Sequence, residues 1–352
     1  MNKTTIAVIF GGMSVEHDVS IASGTSVIKN LDKDKYKIIP IYISKEGEWF
    51  LYKKNVEEID NLKVGEKLGN IEKIENLFDY LKQVDIAFPV LHGLYGEDGT
   101  IQGLFEMMKI PYVGSKVLGS SISMDKAYAK IIFEKANIKQ AKYVYIKKYE
   151  NSYIYVLPDF SEEILTLEEI IKKVEEKLKY PMFIKPSNSG SSLGINKAKD
   201  SKDLAKFIQN ASEYDRKILV EEGIDGTEIE CSVLGNEEVK ASCTGKILPA
   251  DEFYTYEAKY YNEKSECIIP SGLEKETEEK IKKIAIKAFK AVDGKGLSRV
   301  DFLVKKNNEI YINEINTMPG FTEISMYSKL WEASGISYKE LLEKLIELAK
   351  RS

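Results

Sequence analysis

The sequence predicts a soluble α/β protein that becomes α+β in its C-terminal parts, and three observations lead to this prediction. Apolar strand-like runs alternate with helix-like segments in the first third of the chain, which is typical of a parallel sheet covered by helices on both faces. Glycine-containing polar loops follow two of these runs. Near the carboxyl end, two strand-like runs flank an Asn-Asn pair, which indicates an antiparallel hairpin.

The N-terminal region, residues 1–115, is predicted to be a parallel α/β domain. Its predicted strands are Thr5–Phe10, Tyr36–Ile43, Val84–Pro89 and Ile110–Val113, and its predicted helices are Val19–Asn30 and Ile101–Met108. Ligands bind beyond the carboxyl ends of parallel strands. The loops that follow Phe10 and Pro89 are therefore candidate site loops.

Two further regions, 116–224 and 225–352, follow without a long linker. The first is predicted to contain helices Met124–Ala136, Leu167–Leu178 and Asp203–Gln209 and strands Tyr143–Ile146, Tyr180–Ile184 and Lys217–Glu221. The second is predicted to contain strands Glu228–Leu234, Ser298–Val304 and Glu309–Asn316, helix Thr277–Ala291 with Thr277 as its N-cap, and helix Tyr338–Lys350. The acidic segment between Glu150 and Leu167 is read as a loop without an assigned role.

Composition excludes several classes of protein. The 352-residue chain carries a net charge of −5 and has a pI of about 5.5, which argues against a nucleic-acid-binding surface. No apolar run approaches the ~20 residues that a membrane-spanning helix needs, and the N-terminus does not read as a signal peptide. Three widely spaced cysteines fit a reducing compartment, so we expect a cytoplasmic protein with no membrane partner.

The strongest chemical signal is RVDFLVKKNNEIYINEINTMPG, residues 299–320. A turn at Asn307-Asn308 places Asp301 opposite Glu314 and Arg299 opposite Asn316, with all four side chains on one face. Carboxylate and amide oxygens are ligands that Mg²⁺ prefers, so the hairpin indicates a nucleoside triphosphate site. Leu303 and Ile312 are expected on the same face and predict a partly buried pocket. A polar strand face exposed to solvent is the alternative.

Four other segments carry weaker signals. KPSNSGSSLGI, 185–195, is a Gly/Ser-rich loop of the kind that cradles phosphates, although a surface turn would read the same. KILVEEGIDGTEIE, 217–230, is a strand followed by an acidic pair, and suggests adenosine binding. In GGMSVEHDVS, 11–20, the acidic groups suit a substrate ammonium better than a pyrophosphate, although a capped, solvated turn is the alternative. In HGLYGEDGT, 92–100, the histidine is an acid–base or carboxylate-binding candidate, or a histidine that only orders the loop.

The segment EFYTYEAKYY, 252–261, is aromatic and charged, although it lies in a predicted loop. It fits a lid, at about 249–265, that closes over substrates and excludes water. An ordinary loop packed by its own tyrosines is the alternative.

Together these segments resemble the ATP-grasp superfamily and, closely, the D-alanine–D-alanine ligase family. The resemblance rests on FGGMSVEHDVS, PVLHGLYGEDGTIQG, SMDKAYAK, IKPSNSGSSLG, EFYTYEAKY, SRVDF and NEINTMPGFTEISMY, in that order along the chain. It implies an ATP-grasp fold, in which the N-terminal domain is followed by two ATP-grasp subdomains. It also implies a homodimer that joins two D-alanine molecules, with ATP consumed, for peptidoglycan synthesis.

The resemblance also implies roles for individual residues. Asp301, Glu314 and Asn316 would bind two Mg²⁺ or Mn²⁺ ions; Lys126, Lys185, Glu221, Glu228, Phe253 and Lys259 would bind ATP; and His92, Ser325 and Met326 would bind the substrate carboxylates. Glu16 would bind the first ammonium and join Ser191 and Tyr260 in fastening the lid, and Arg299 with the Gly320 N–H would form the oxyanion hole.

Three alternatives stay open at this point. Related ligases join D-alanine to D-serine or D-lactate with the same ATP site, and Tyr260 in the lid favours D-alanine at the second position. A nicotinamide-linked oxidoreductase would use the N-terminal sheet, but GxGxxG is missing. A non-catalytic nucleotide-binding protein would not need the polar hairpin.

Overall fold

A computed structural model describes residues 3–59, 62–66, 68–248, 266–322 and 325–352. The strands are β1 Thr4–Gly11, β2 Tyr36–Ile43, β3 Trp49–Tyr52, β4 Ile71–Lys73, β5 Ile86–Pro89, β6 Tyr143–Tyr149, β7 Ser152–Val156, β8 Glu162–Leu165, β9 Met182–Pro186, β10 Asn196–Ala198, β11 Lys217–Glu222, β12 Thr227–Gly235, β13 Lys240–Leu248, β14 Glu266–Ile268, β15 Gly296–Val304 and β16 Ile310–Asn316. The helices are α1 His17–Asn30, α2 Leu77–Leu81, α3 Thr100–Met108, α4 Val117–Met124, α5 Lys126–Lys135, α6 Leu167–Lys177, α7 Ser201–Tyr214, α8 Lys275–Ala291, α9 Met326–Ala333 and α10 Tyr338–Lys350. Within these described ranges, none of the helices is long and apolar enough to cross a membrane.

The strands form three sheets. The first has the order β4-β3-β2-β1-β5, the second β10-β9-β11-β6-β7-β8 and the third β14-β13-β12-β15-β16. In the first sheet β1 is parallel to both β2 and β5, as predicted, and its carboxyl end leads into the loop before α1. The second and third sheets pair their strands antiparallel, which confirms the change to α+β.

The C-terminal helix α10 packs against the N-terminal sheet. Leu341, Leu342 and Leu345 of this helix share one hydrophobic cluster with Val8 and Phe10 of β1, and all five side chains are buried. Burying a leucine side chain contributes about 1.5–3 kcal/mol. The last helix therefore holds the third sheet against the first and fixes the walls of the space between them.

Several boundaries differ from the sequence-based predictions. The predicted helix Met124–Ala136 begins later, at Lys126, because Asp125 is extended and caps α5: its carboxylate accepts the N–H groups of Ala127 and Tyr128. Met124 ends the preceding helix α4. The prediction of Thr277 as an N-cap was wrong, since α8 begins at Lys275 and Thr277 is buried inside it.

The first sheet is not wholly parallel, because β3 and β4 extend it as antiparallel strands. The connection from Ile43 to Trp49 is too short for a parallel crossover.

The segment between Glu150 and Leu167, predicted to be a loop, forms the antiparallel pair β7–β8. Tyr153 and Tyr155, two residues apart in β7, are both buried, as expected for a strand with one face in the core. The acidic residues around them hid this pattern in the sequence.

Candidate functional site

A cavity of about 1150 Å³ lies where the three sheets meet. Most of the sequence-predicted site residues that the structure describes line it: Glu16, His92, Lys126, Lys185, Ser191, Glu221, Glu228, Arg299, Glu314, Asn316, Gly320, Ser325 and Met326. Asp301 lies behind this lining and is buried. The predicted lid, including Phe253, Lys259 and Tyr260, lies outside the described residues.

The predicted hairpin has the expected register at its polar end. Arg299 is paired with Asn316 and Asp301 with Glu314. Directly after Asp301 a β-bulge shifts the register, so one residue of β16 has no opposite partner. That residue is Asn313, whose Oδ1 accepts a hydrogen bond from Lys185 Nζ at 3.3 Å.

The bulge also changes which residues share a face. Ile312 is paired with Phe302, and both belong to the same buried cluster. Leu303 is paired with Tyr311. The expectation that Leu303 and Ile312 share the polar face was therefore wrong for Ile312, because it assumed an uninterrupted ladder from Asn316 to the turn. Both residues nevertheless line the cavity.

The guanidinium of Arg299 is held by two carboxylates. Its Nε and one terminal nitrogen donate to Asp301 at 2.8 and 2.7 Å, and its Nε lies 3.1 Å from Glu230 Oε2. Asn316 Nδ2 donates to Asp301 at 3.0 Å. Although burial alone would lower the pKa of Arg299, Asp301 and Glu230 raise it well above its ordinary value, so this residue is a permanent cation in the cavity wall.

Three carboxylates form a group that could hold a metal ion. One oxygen from each of Glu228, Glu230 and Asp301 lies within 4.8 Å of the others. Strand pairing explains this, because Glu230 is directly opposite Asp301 across β12 and β15 and Glu228 is two residues away on the same face. Glu314 adds a further carboxylate opposite Asp301 on the other side. This set of hard oxygen donors fits Mg²⁺ or Mn²⁺.

Two lysines converge on one buried carboxylate at the opposite wall. Glu221 Oε2 lies 2.7 Å from Lys185 Nζ, and Glu221 Oε1 lies 3.0 Å from Lys130 Nζ. Burial would raise the pKa of Glu221, but the two ammonium groups together lower it to about 2. The carboxylate is therefore ionised, and the three groups carry one net positive charge that favours an anionic ligand.

Lys126 lies beside the Gly/Ser-rich loop that follows β9. Its Nζ donates to Ser189 O at 2.6 Å, and the preceding Asp125 is ion-paired with Lys217. Within the loop, Ser191 and Ser192 both have positive φ angles, of 49° and 61°. Such left-handed backbone costs about 1–2 kcal/mol per residue, and it often marks a functional loop.

Glu16 connects this loop to the N-terminal sheet. Its carboxylate accepts a hydrogen bond from Ser191 Oγ, as the predicted lid fastening requires, although Tyr260 lies outside the described residues. A Cβ at Gly93 or Gly190 would come within 2.6 or 2.5 Å of Glu16 Oε2. These two glycines therefore leave the room that the Glu16 carboxylate occupies between the two loops.

His92 and Glu97 join the N-terminal loop to the segment after β16. His92 Nδ1 lies 3.0 Å from Met318 O, and its Nε2 lies 2.9 Å from Ser23 Oγ. Glu97 accepts the N–H groups of Gly93 and Met318 at 2.9 and 3.1 Å. Burial lowers the pKa of His92; burial and then Glu16 raise that of Glu97 to about 8, so both side chains favour their neutral forms.

The segment after Met318 contains the last predicted residues. A Cβ at Gly320 would lie 2.9 Å from Ser325 Oγ, which explains the glycine. Ser325 Oγ accepts the Thr322 N–H at 2.9 Å, and Ser325 stands at the N-terminus of α9, directly before Met326. Backbone N–H groups at a helix N-terminus favour a carboxylate.

Sequence reasoning missed four residues of this site: Lys130, Glu230, Glu97 and Asn313. Lys130 lies one helical turn after Lys126, and Glu230 lies two residues after Glu228 on the same strand. Their spacing therefore predicts that each shares a face with a residue already assigned to the site. Asn313 had no such signal, because only the bulge brings it to the cavity.

Comparisons with known proteins match the chain over almost its whole length. Two family models, described as D-ala D-ala ligase N-terminus and D-ala D-ala ligase C-terminus, match residues 5–115 and 132–347. The chain is 51% identical to D-alanine–D-alanine ligase B of Clostridium tetani, over 99% of this chain and 94% of that protein. It is also 51% identical to the D-alanine–D-alanine ligase of Clostridium acetobutylicum, over 99% and 98%.

Solved ligase structures are also similar to this chain over almost its whole length. The D-alanine–D-alanine ligase of Coxiella burnetii superposes with a TM-score of 0.84 at 33% identity, covering 99% of this chain and 94% of that one. The VanG D-Ala:D-Ser ligase of Enterococcus faecalis superposes with a TM-score of 0.85 at 36% identity, covering 99% and 100%.

Proposed function

Because this chain belongs to the D-alanine–D-alanine ligase family, we propose that it joins two D-alanine molecules to D-alanyl-D-alanine for peptidoglycan synthesis, with ATP consumed. One observation carries the proposal: the Arg299–Asp301 hairpin, the Lys185–Glu221 pair and the Glu16–Ser191 link face a single cavity. These parts correspond to a metal-nucleotide site, a phosphate site and an ammonium site, which are the three that an ATP-dependent amino-acid ligase needs.

The nucleotide occupies the wall formed by the second and third sheets. Lys126 and Lys185 bind its phosphates, and Glu221 and Glu228 contact the adenosine, with Glu228 on the ribose. Phe253 and Lys259 of the lid complete this site. Asp301, Glu314 and Asn316, with Glu228 and Glu230 beside them, would hold two Mg²⁺ or Mn²⁺ ions, which neutralise phosphate charge when they are bound.

The first D-alanine lies on the N-terminal side, where Glu16 binds its ammonium and His92 lies by its carboxylate. A carboxylate oxygen attacks the γ-phosphorus of ATP, the bond to ADP breaks, and D-alanyl phosphate forms. Lys126 and Lys185 stabilise the charge on the transferred group. The closed lid, fastened through Glu16, Ser191 and Tyr260, excludes the water that would hydrolyse this product.

The second D-alanine binds through its carboxylate to Ser325 Oγ and the Met326 N–H. Its deprotonated amine attacks the acyl carbon, and a tetrahedral intermediate forms. Arg299 and the Gly320 N–H stabilise the oxyanion. The nitrogen of the intermediate releases a proton, the C–O bond to phosphate breaks, and the dipeptide and inorganic phosphate are released.

A second candidate function is D-alanine–D-serine ligation, which the likeness to the Enterococcus faecalis ligase favours. The higher identity to the clostridial D-alanine–D-alanine ligases supports D-alanine at both positions.

We further propose that the protein is cytoplasmic and forms a homodimer, and that its domain boundaries lie near residues 115 and 224.

The test is product identification by mass spectrometry after incubation with ATP, Mg²⁺ and D-alanine. The incubation is repeated with D-serine or D-lactate added at the same concentration as D-alanine. We expect D-alanyl-D-alanine, with one ADP released per dipeptide, as the main product in every mixture. Predominant D-alanyl-D-serine would establish the second candidate. ADP release without any ligated product would contradict both.

A further inference from the structure

Lys130 is a buried lysine that has no role in the reaction described above. Its side chain is 3% exposed, and its ammonium lies 3.0 Å from Glu221 Oε1. The other oxygen of that carboxylate lies 2.7 Å from Lys185. One carboxylate therefore binds two ammonium groups, one at each oxygen.

The two lysines occupy different positions relative to the cavity. Lys185 and Glu221 line it, whereas Lys130 does not. Lys130 approaches Glu221 from α5, and Gln140 Nε2 donates to its backbone carbonyl at 2.8 Å. A ligand in the cavity can therefore reach Lys185, while Lys130 stays behind the carboxylate.

The charge of the buried Glu221 carboxylate must stay neutralised when a ligand binds. When Lys185 turns toward a phosphate, it leaves one oxygen of a buried carboxylate. A buried charge that loses its partner is strongly destabilised. Burial lowers the pKa of Lys130, and Glu221 opposes this shift only in part. The charged form of Lys130 is supported by its 3.0 Å contact with the ionised carboxylate of Glu221.

We propose that Lys130 is a positioning residue that keeps Glu221 neutralised while Lys185 moves from Glu221 to a phosphate of the nucleotide. The inference rests on the proposed function, because it requires a phosphate-bearing ligand in the cavity. Lys130 acts through Glu221 and Lys185 and does not touch the nucleotide. Without it, Lys185 would remain the sole cation on Glu221, and each phosphate contact would require breaking that pair.

The test measures the dissociation constants of adenosine and of the non-hydrolysable ATP analogue AMPPNP, with Mg²⁺, by isothermal titration calorimetry of the full chain. Lys130→Met should weaken AMPPNP binding at least about tenfold, as expected for a broken buried ion pair, and adenosine binding less than about twofold. General damage to the pocket would weaken both ligands equally. Lys35→Met is the matched control, because Lys35 forms a 2.9 Å pair with Glu343 outside the cavity.

A double-mutant cycle tests whether Lys130 acts through Glu221. In a Glu221→Gln background there is no buried carboxylate to neutralise, so Lys130→Met should change AMPPNP binding less than about twofold. Lys130→Gln, which keeps a polar group at this position, is subject to the same criteria if Lys130→Met does not fold.

Two results would overturn the inference while leaving the proposed function intact: wild-type AMPPNP affinity in the Lys130 variants, or equal losses for adenosine and AMPPNP. An effect of Lys130→Met that is fully retained in the Glu221→Gln background would do the same. Absence of AMPPNP binding by the wild-type chain would overturn the inference and the proposed function together.

Discussion

The two sides of the cavity are assembled in different ways. On the C-terminal side, the charged residues lie on adjacent strands, so the ladder register fixes their neighbours: Arg299 faces Asn316, and Asp301 lies between Glu230 and Glu314. On the N-terminal side, Glu16 and the His92 loop come from separate segments that only the strand order of the first sheet brings together.

The two sides also differ in charge. The hairpin side contains buried ion pairs, such as that of Arg299 with Asp301. On the N-terminal side, burial is the largest influence on the pKa of both His92 and Glu97 and favours their neutral forms. Under the proposed function, the paired charges of the hairpin wall suit phosphate and metal, and the neutral groups of the other wall suit a small zwitterion.

The largest expected effect comes from Arg299→Met. Loss of the guanidinium should lower kcat for dipeptide formation about 10²–10³-fold, as for other oxyanion donors. It also leaves the carboxylates of Asp301 and Glu230 buried without their cation, which should lower the free energy of unfolding by about 3 kcal/mol or more. Steady-state kinetics and denaturant unfolding measure the two effects.

Arg216→Met is the matched control, because Arg216 is exposed, and it should leave both quantities near their wild-type values. Arg299→Lys keeps a positive charge but not the bidentate geometry, so it should recover stability more than kcat. If Arg299→Met retained wild-type kcat, the hairpin would not supply the oxyanion contact.

A smaller effect is expected from Glu97→Gln on the N-terminal side. Glu97 fixes the Gly93 and Met318 N–H groups, and Gln can accept only one of them well. We expect kcat to fall about tenfold, the loss that ~1.4 kcal/mol produces. Equal kcat in wild type and variant would show that this link does not position the segment that contains Gly320.

The same variant tests the pKa of Glu97. The unfolded chain ionises this group near 4.5, whereas the folded chain keeps it protonated up to about 8, mainly because of burial and then of Glu16. The wild-type free energy of unfolding should therefore fall as pH rises from 5 to 8, and that contribution should be missing in Glu97→Gln. Denaturant unfolding at several pH values measures the difference; parallel curves would contradict it.

The smallest effect is expected from Asn313→Ala. The substitution removes one 3.3 Å hydrogen bond to Lys185, which should raise KM for ATP by about two- to tenfold, since such bonds contribute about 0.5–1.5 kcal/mol. KM for D-alanine should stay unchanged. Asn308→Ala, in the exposed turn of the same hairpin, is the control; if the two variants behaved alike, the bulge would have no part in nucleotide binding.

Sequence reasoning predicted the hairpin side better than the N-terminal side, for a physical reason. Register along a hairpin follows from a period of two, so the pairing of Asp301 with Glu314 was predictable. The bulge that places Asn313 depends on local packing, and no sequence pattern indicated it. The contact of Glu97 with Met318 joins residues far apart in the chain, so it depends on tertiary structure alone.

The most direct test of this division is Mn²⁺ counting by electron paramagnetic resonance with AMPPNP present. Wild type should bind two ions per chain, Asp301→Asn and Glu314→Gln should each lose at least one, and Glu16→Gln should keep both while losing dipeptide synthesis. Two ions bound by the hairpin variants, or fewer than two in Glu16→Gln, would contradict the assignment of metal binding to the C-terminal wall.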